Sequence, residues 1–159
     1  MSELEPTPDH DARGLAFAIV AARFNHTHVE RLVQAALDVL ARQGAAADAV
    51  PVWWVPGSFE LPLAAKWAAE SRRYDAVLCF GVVIEGETEH FRLVADASSD
   101  GLMRVALDTG VPVLNGVLAA HDAAQADART GGTLGNRGAD VALAAIRMAR
   151  LARRVRDAR

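Results

Sequence analysis

Leu15-Ala-Phe-Ala-Ile-Val-Ala-Ala22 is apolar throughout and partly β-branched. An unbroken apolar run of that length, without polar alternation, suits a strand buried on both faces of a parallel sheet. Three runs of the same kind follow, Ala49-Val-Pro-Val-Trp-Trp-Val55, Ala76-Val-Leu-Cys-Phe-Gly81 and Val111-Pro-Val-Leu-Asn-Gly-Val-Leu118. Pro51 has no N–H to give to a ladder, which places the second run at a sheet edge or makes Pro51 a strand start.

Between these runs lie longer segments with helical spacing. Val29, Leu32, Val33, Ala36, Leu37 and Leu40 recur at i, i+3, i+4, i+7 and i+8 and so share one helix face, with Gly44 as the stop. Residues 59 to 72 put Leu61, Ala64, Ala65 and Ala68 on one stripe, and Pro62 is tolerable in a first turn. A third helix is expected over residues 91 to 108. A fourth, over residues 139 to 156, is apolar through Val141, Leu143, Ala144, Ile146, Met148 and Leu151, and its arginine-rich end suits the negative helix terminus. Strands alternating with helices imply right-handed βαβ units with helices on both faces of the sheet. The predicted class is α/β: a three-layer α/β/α sandwich with a four-stranded, mainly parallel sheet, flavodoxin-like. Residues 1 to 13, acidic and proline-containing, read as a flexible N-terminal arm, and residues 14 to 159 as a single domain.

Composition removes several classes of function. The 159 residues are 52% hydrophobic, enough for one real core. Lys and Arg total 17 against 20 Asp and Glu, a formal charge of -3, which lacks the basic footprint of a nucleic-acid binder. The single cysteine, Cys79, excludes a disulfide framework and a cysteine-rich zinc site and suits a reducing cytoplasm. No apolar stretch reaches the ~18 to 20 residues of a membrane span, and the polar, acidic start is unlike a signal peptide.

In sheets of this kind ligands bind beyond the carboxyl ends of the strands. After the first run comes Arg23-Phe24-Asn25-His26. Phe24 there is either core or a stacking face for a planar heterocycle, and Asn25 is a candidate N-cap. After the second comes Pro56-Gly57-Ser58-Phe59-Glu60, where Pro-Gly turns the chain and Ser58 is a candidate N-cap. The amides of Ser58, Phe59 and Glu60 then face outward, and Glu60 either balances the helix dipole or accepts hydrogen bonds from a polyol.

After the third run comes Gly81-Val-Val-Ile-Glu-Gly-Glu-Thr-Glu-His-Phe91. Gly86 permits close approach, and the amides of Glu87 and Thr88 at a helix start suit a phosphate. The spacing is neither a P-loop nor a dinucleotide fingerprint. His90 is either an exposed surface residue or an acid–base group that works near neutral pH. His26, His28, His90 and His121 form no metal-ligand motif. After the fourth run come Asn115 and the turn Ala128-Arg129-Thr-Gly-Gly-Thr-Leu-Gly-Asn-Arg-Gly138, with Asn136 a candidate cap for the last helix. Arg129 is either a phosphate clamp or the partner of Asp127 or Asp140 in a surface ion pair.

These segments together resemble the 6,7-dimethyl-8-ribityllumazine synthase family. Phe24-Asn25, Val55-Pro-Gly-Ser-Phe-Glu-Leu-Pro62, Gly81 to Phe91, Gly101-Leu-Met-Arg-Val105, Gly110-Val-Pro-Val113, Gly116-Val-Leu118 and Gly135-Asn-Arg-Gly138 recur in family order and spacing over residues 14 to 155. The resemblance implies a transferase of riboflavin biosynthesis that condenses 5-amino-6-(D-ribitylamino)uracil with 3,4-dihydroxy-2-butanone 4-phosphate and releases phosphate and water. It implies that Phe24 stacks on the pyrimidine and that the backbones of Val82, Val83 and Ile84 read its edge. Ser58, Phe59 and Glu60 would hold the ribityl chain, Glu87, Thr88 and Arg129 the phosphate, and His90 would move protons.

No cofactor or metal is implied, because the carbonyl and the amine both belong to the substrates. The resemblance further implies a homo-pentamer in which the adjacent subunit supplies Asn115 and Arg129. A 60-subunit icosahedral shell is favoured by the compact glycine turn, and a bound riboflavin synthase is left open. The chain departs from the family pattern at Glu85, where many members have arginine, at Asn115, where many have an aromatic, and at Thr133 and Arg137, where lysines are usual. Glu85, Glu87 and Glu89 thereby put negative charge beside the implied phosphate nest.

Two rival functions are distinguishable. A non-catalytic flavin or lumazine storage protein on the same scaffold needs neither His90 nor Arg129. A flavodoxin-like redox module needs a Ser/Thr/Gly-rich phosphate loop where this chain has Arg23-Phe24-Asn25-His26.

Overall fold

The computed structural model describes residues 9–158. Four strands, β1 (Phe17–Ala22), β2 (Val52–Val55), β3 (Ala76–Ile84) and β4 (Val113–Ala120), form one parallel sheet in the order β2-β1-β3-β4. The sheet is covered by α1 (His26–Arg42) and α5 (Arg137–Asp157) on one face, and by α2 (Leu61–Glu70) and α3 (His90–Thr109) on the other. This is the expected three-layer α/β/α arrangement, and β2, which follows Pro51, is an edge strand. Pro51 still contributes as an acceptor, its carbonyl taking the Ile19 N–H at 2.9 Å.

The alternation of side chains along a strand divides the core in two. Phe17, Ile19 and Ala21 of β1 and Leu78, Phe80 and Val82 of β3 face α1 and α5. Val20 and Ala22 of β1, with Val77 and Cys79 of β3, face α2 and α3. Both central strands are therefore apolar on both faces, which is why they read as continuous runs. Burial alone pushes the Cys79 thiol above its ordinary range, so it is an inert core residue.

The elements differ from expectation at three places. The third strand does not stop at Gly81 but runs on to Ile84. Gly81 breaks the apolar composition without breaking the ladder: a Cβ there would collide with the Ser58 hydroxyl, so the residue is small to admit Ser58. The segment after β2 first makes a 3-10 turn, Ser58–Glu60, and only then α2. The helix before the glycine turn is short, α4 (Ala123–Arg129), and the turn itself is a small hairpin of β5 (Thr130–Gly132) and β6 (Gly135–Asn136). Asn136 does cap α5, its Oδ1 accepting the Gly138 N–H at 2.8 Å. Gly138 lets α5 approach α1 so closely that a Cβ would overlap the backbone of Leu32.

Of the expected arm, residues 1–8 lie outside the described residues. Residues 9–13 lie along the body of the domain. Ala12 is buried, Arg150 of α5 donates to the carbonyls of Asp11 and Arg13 at 2.8 and 2.7 Å, and Asp11 chelates Arg13.

Candidate active site

The carboxyl ends of β1, β2 and β3 surround a cavity of about 650 Å3, within the ~300–1,000 Å3 usual for small-molecule sites. Each wall comes from the chain segment leaving one strand. After β1 the backbone stays bonded to the β2 segment, with Arg23 N–H on the Val55 carbonyl and Phe24 N–H on the Pro56 carbonyl at 2.8 and 3.2 Å. Asn25 then takes a left-handed conformation, φ 57°, which short polar residues tolerate. Its side chain does not cap α1 as expected. It donates instead to the Val82 carbonyl at 2.7 Å and ties the β1 turn to the end of β3. That turn leaves the Phe24 ring 73% exposed on the cavity wall, so Phe24 is not a core residue.

The second wall is the Pro56-Gly57 turn and the 3-10 turn behind it. Ser58 is not the N-cap. Gly57 holds that place, and the Glu60 carboxylate reaches back to accept its N–H at 3.0 Å through Oε2. Ser58 is buried against Gly81, whereas Phe59 is exposed and both line the cavity. Glu60 is itself exposed on the wall, and its Oε1 accepts nothing among the described residues. An oxygen so placed is free for a hydroxyl donor.

Val82, Val83 and Ile84 at the end of β3 form the floor, with Gly86, Thr88, His90, Phe91 and Val94 rising beside them. His90 is the first residue of α3, and its N–H reaches Thr88 Oγ1 at 3.4 Å. One cavity thus brings together Phe24, Ser58, Phe59, Glu60, Val82, Val83, Ile84, Thr88 and His90. Stacking surface, hydroxyl acceptor, open amides and an imidazole lie around one volume.

Three expected residues lie outside it. Glu87 is exposed but does not line the cavity. Asn115, exposed on β4, binds Ser99 Oγ at 3.2 Å through Nδ2 and accepts the Val117 N–H through Oδ1. Arg129 donates to the Gln125 carbonyl at 3.2 Å. Among the described residues Arg129 forms no ion pair with Asp127 or Asp140, and His28 and Arg31 both bind Oδ1 of Asp127. The hydrogen bond from His28, and after it that from Arg31, holds the Asp127 carboxyl below its ordinary range.

Asn25, Pro56, Gly57, Phe91 and Val94 are lining residues that were not anticipated in that role. Phe91 and Val94 carry the signal of a helix start continued by one turn, since i and i+3 share a face. Among the described residues no three His, Cys, Asp or Glu side chains converge as a metal set, and no helix is long and apolar enough to cross a membrane.

A larger groove of about 720 Å3 lies elsewhere, between α3, α5 and the segment entering β4, and is lined mostly by aliphatic side chains such as Met103, Leu107, Leu151 and Val155. It offers area for contact but few groups for proton transfer, so the smaller cavity is the candidate site.

The family model for 6,7-dimethyl-8-ribityllumazine synthase matches residues 14–153. The chain belongs to this family. A 6,7-dimethyl-8-ribityllumazine synthase of Clostridium kluyveri is 47% identical over 143 residues, 90% of this chain and 93% of that protein. One of Desulfotalea psychrophila is 50% identical over 140 residues, 88% of this chain and 90% of its own. Lumazine synthases are transferases of riboflavin biosynthesis, and the sandwich described above carries that activity.

Proposed function

We propose that the cavity condenses 5-amino-6-(D-ribitylamino)uracil with 3,4-dihydroxy-2-butanone 4-phosphate, in the following roles. Phe24 stacks on the pyrimidine while the backbones of Val82, Val83 and Ile84 pair with its polar edge. The ribityl hydroxyls donate to Glu60 and receive from the Ser58 and Phe59 amides. The phosphate sits on the amides of Glu87 and Thr88, which lie in the loop leading into α3 and not in its first turn, closed over by an Arg129 fork.

The substrate amine attacks the substrate ketone and water leaves to give an imine; phosphate is then eliminated, the resulting enol becomes a ketone, and the second nitrogen closes the ring on that carbonyl with loss of a second water. His90 takes and returns protons in these steps. Holding two reactants in register supplies most of the rate, so no lysine adduct is needed. The observation that carries this reading is the convergence of Phe24, Glu60, Thr88 and His90 on one cavity.

The same reading makes the active form a homo-pentamer. Asn115 and Arg129 lie outside the cavity of their own chain, which fits their service to a neighbour's cavity. The aliphatic groove beside β4, with Leu107 75% and Met103 61% exposed, is the kind of surface a second copy covers. The glycine hairpin is compact enough for pentamers to pack into a 60-subunit shell. The reduced, buried Cys79 fits a cytoplasmic location.

The test is steady-state kinetics with both substrates, following lumazine absorbance and phosphate release. His90→Ala should lower kcat by about 10²- to 10⁴-fold with KM values largely kept. Arg129→Ala should chiefly raise KM for the butanone phosphate. Unchanged kinetics in both variants would remove these assignments.

A further inference from the structure

Glu85, Glu87 and Glu89 flank the loop whose Gly86 and Thr88 line the cavity. A carboxylate beside an anion site opposes the ligand unless it is turned away or neutralised. Glu87 and Glu89 are exposed to solvent. Glu85 is exposed as well but engaged: its Oε2 lies 2.6 Å from Nδ1 of His121, also an exposed side chain. An ionised carboxylate only accepts, so Nδ1 carries the proton.

The two residues stand one step beyond the last strand pair, Ile84 with Ala120, and the Glu85 N–H still donates to the Ala120 carbonyl at 2.9 Å. His121 is itself fixed. Its N–H donates to Oε1 of Gln125 at 2.9 Å, the Gln125 N–H is capped by Asp122, and its ring lies 6.4 Å from that of Phe91. The backbone of His121 is thus held so that Nδ1 of its exposed ring reaches Glu85.

We propose that His121 is a positioning residue for the anionic substrate: it holds the Glu85 carboxylate against β4, so that the loop amides meet the phosphate without a competing anion. This rests on the placing of the phosphate at that loop under the proposed function. The pair acts on affinity for one substrate and not on the chemical step.

Four forms of the assembled protein test it: wild type, His121→Ala, Glu85→Gln and the double variant, with butanone phosphate varied at saturating pyrimidine. His121→Ala should raise KM for the phosphate substrate about 3- to 10-fold with kcat within about twofold. Glu85→Gln should keep that KM near wild type, and the double variant should recover it. A purely structural strap predicts otherwise, because glutamine still accepts from Nδ1 and the loss in His121→Ala would come from the missing ring alone, so the double variant would recover nothing. That result overturns the proposal. If Thr88→Pro, which removes the amide N–H, raises the same KM while His121→Ala does not, only the role of His121 falls. If Thr88→Pro has no effect either, the phosphate placement falls with it.

Discussion

Nε2 of His28 lies 2.8 Å from Oδ1 of Asp127, joining the first turn of α1 to α4 two residues before Arg129. Arg31 adds a second contact to the same oxygen at 3.2 Å. The carboxylate is held ionised by these donors, and its folded-state value lies below the ordinary 3.8. A depressed carboxylate contributes stability that is present above its unfolded value and lost as pH falls through the folded one. Stability should therefore decline in acid below about pH 4, and Asp127→Asn should make that decline shallower. The acid limb should not vanish, because Arg13 depresses Asp11 in the same direction. Thermal melts between about pH 5 and pH 2 measure both slopes.

Gly138 sits where α5 crosses α1, with no room for a Cβ beside the Leu32 backbone. Backbone cannot rotate away as a side chain can, so Gly138→Ala should force the helices apart and cost about 1–3 kcal/mol. Chemical denaturation should show a lower midpoint. Gly86→Ala, in open space, serves as the control.

The aliphatic groove beside β4 supplies the third prediction. Leu107→Asp or Leu151→Asp places a charge on a surface that assembly would bury, so sedimentation should show a shift toward monomer and activity should fall with it. A site shared between subunits adds a sharper expectation. Mixing His90→Ala and Arg129→Ala subunits under exchange conditions, assayed at butanone phosphate too dilute for Arg129→Ala to use, should restore part of the activity, because some cavities then receive one intact residue of each kind. No restoration would place both residues in one chain's site.

The strand ends that build the cavity were legible because buried parallel strands are apolar runs, and the segments following them carry the polar groups. Pro51 marked an edge strand for a reason visible in one residue, its missing N–H. Gly81 misled for an equally local reason. It reads as a terminator, yet it is a clearance for Ser58 within a continuing strand. Asn25 and Ser58 were poor caps because longer-range partners, Val82 and Gly81, govern them instead. The pairs His28 with Asp127 and Glu85 with His121 span 99 and 36 residues, and no spacing rule joins residues so far apart.

The most direct measurement is a crystal structure of the assembled protein with ribitylaminouracil and inorganic phosphate bound. The pyrimidine should lie against Phe24, the ribityl chain should reach Glu60, and phosphate should rest on the Glu87 and Thr88 amides with His90 between the two ligands. Pyrimidine density away from Phe24, or phosphate bound elsewhere with this cavity empty, would contradict the account.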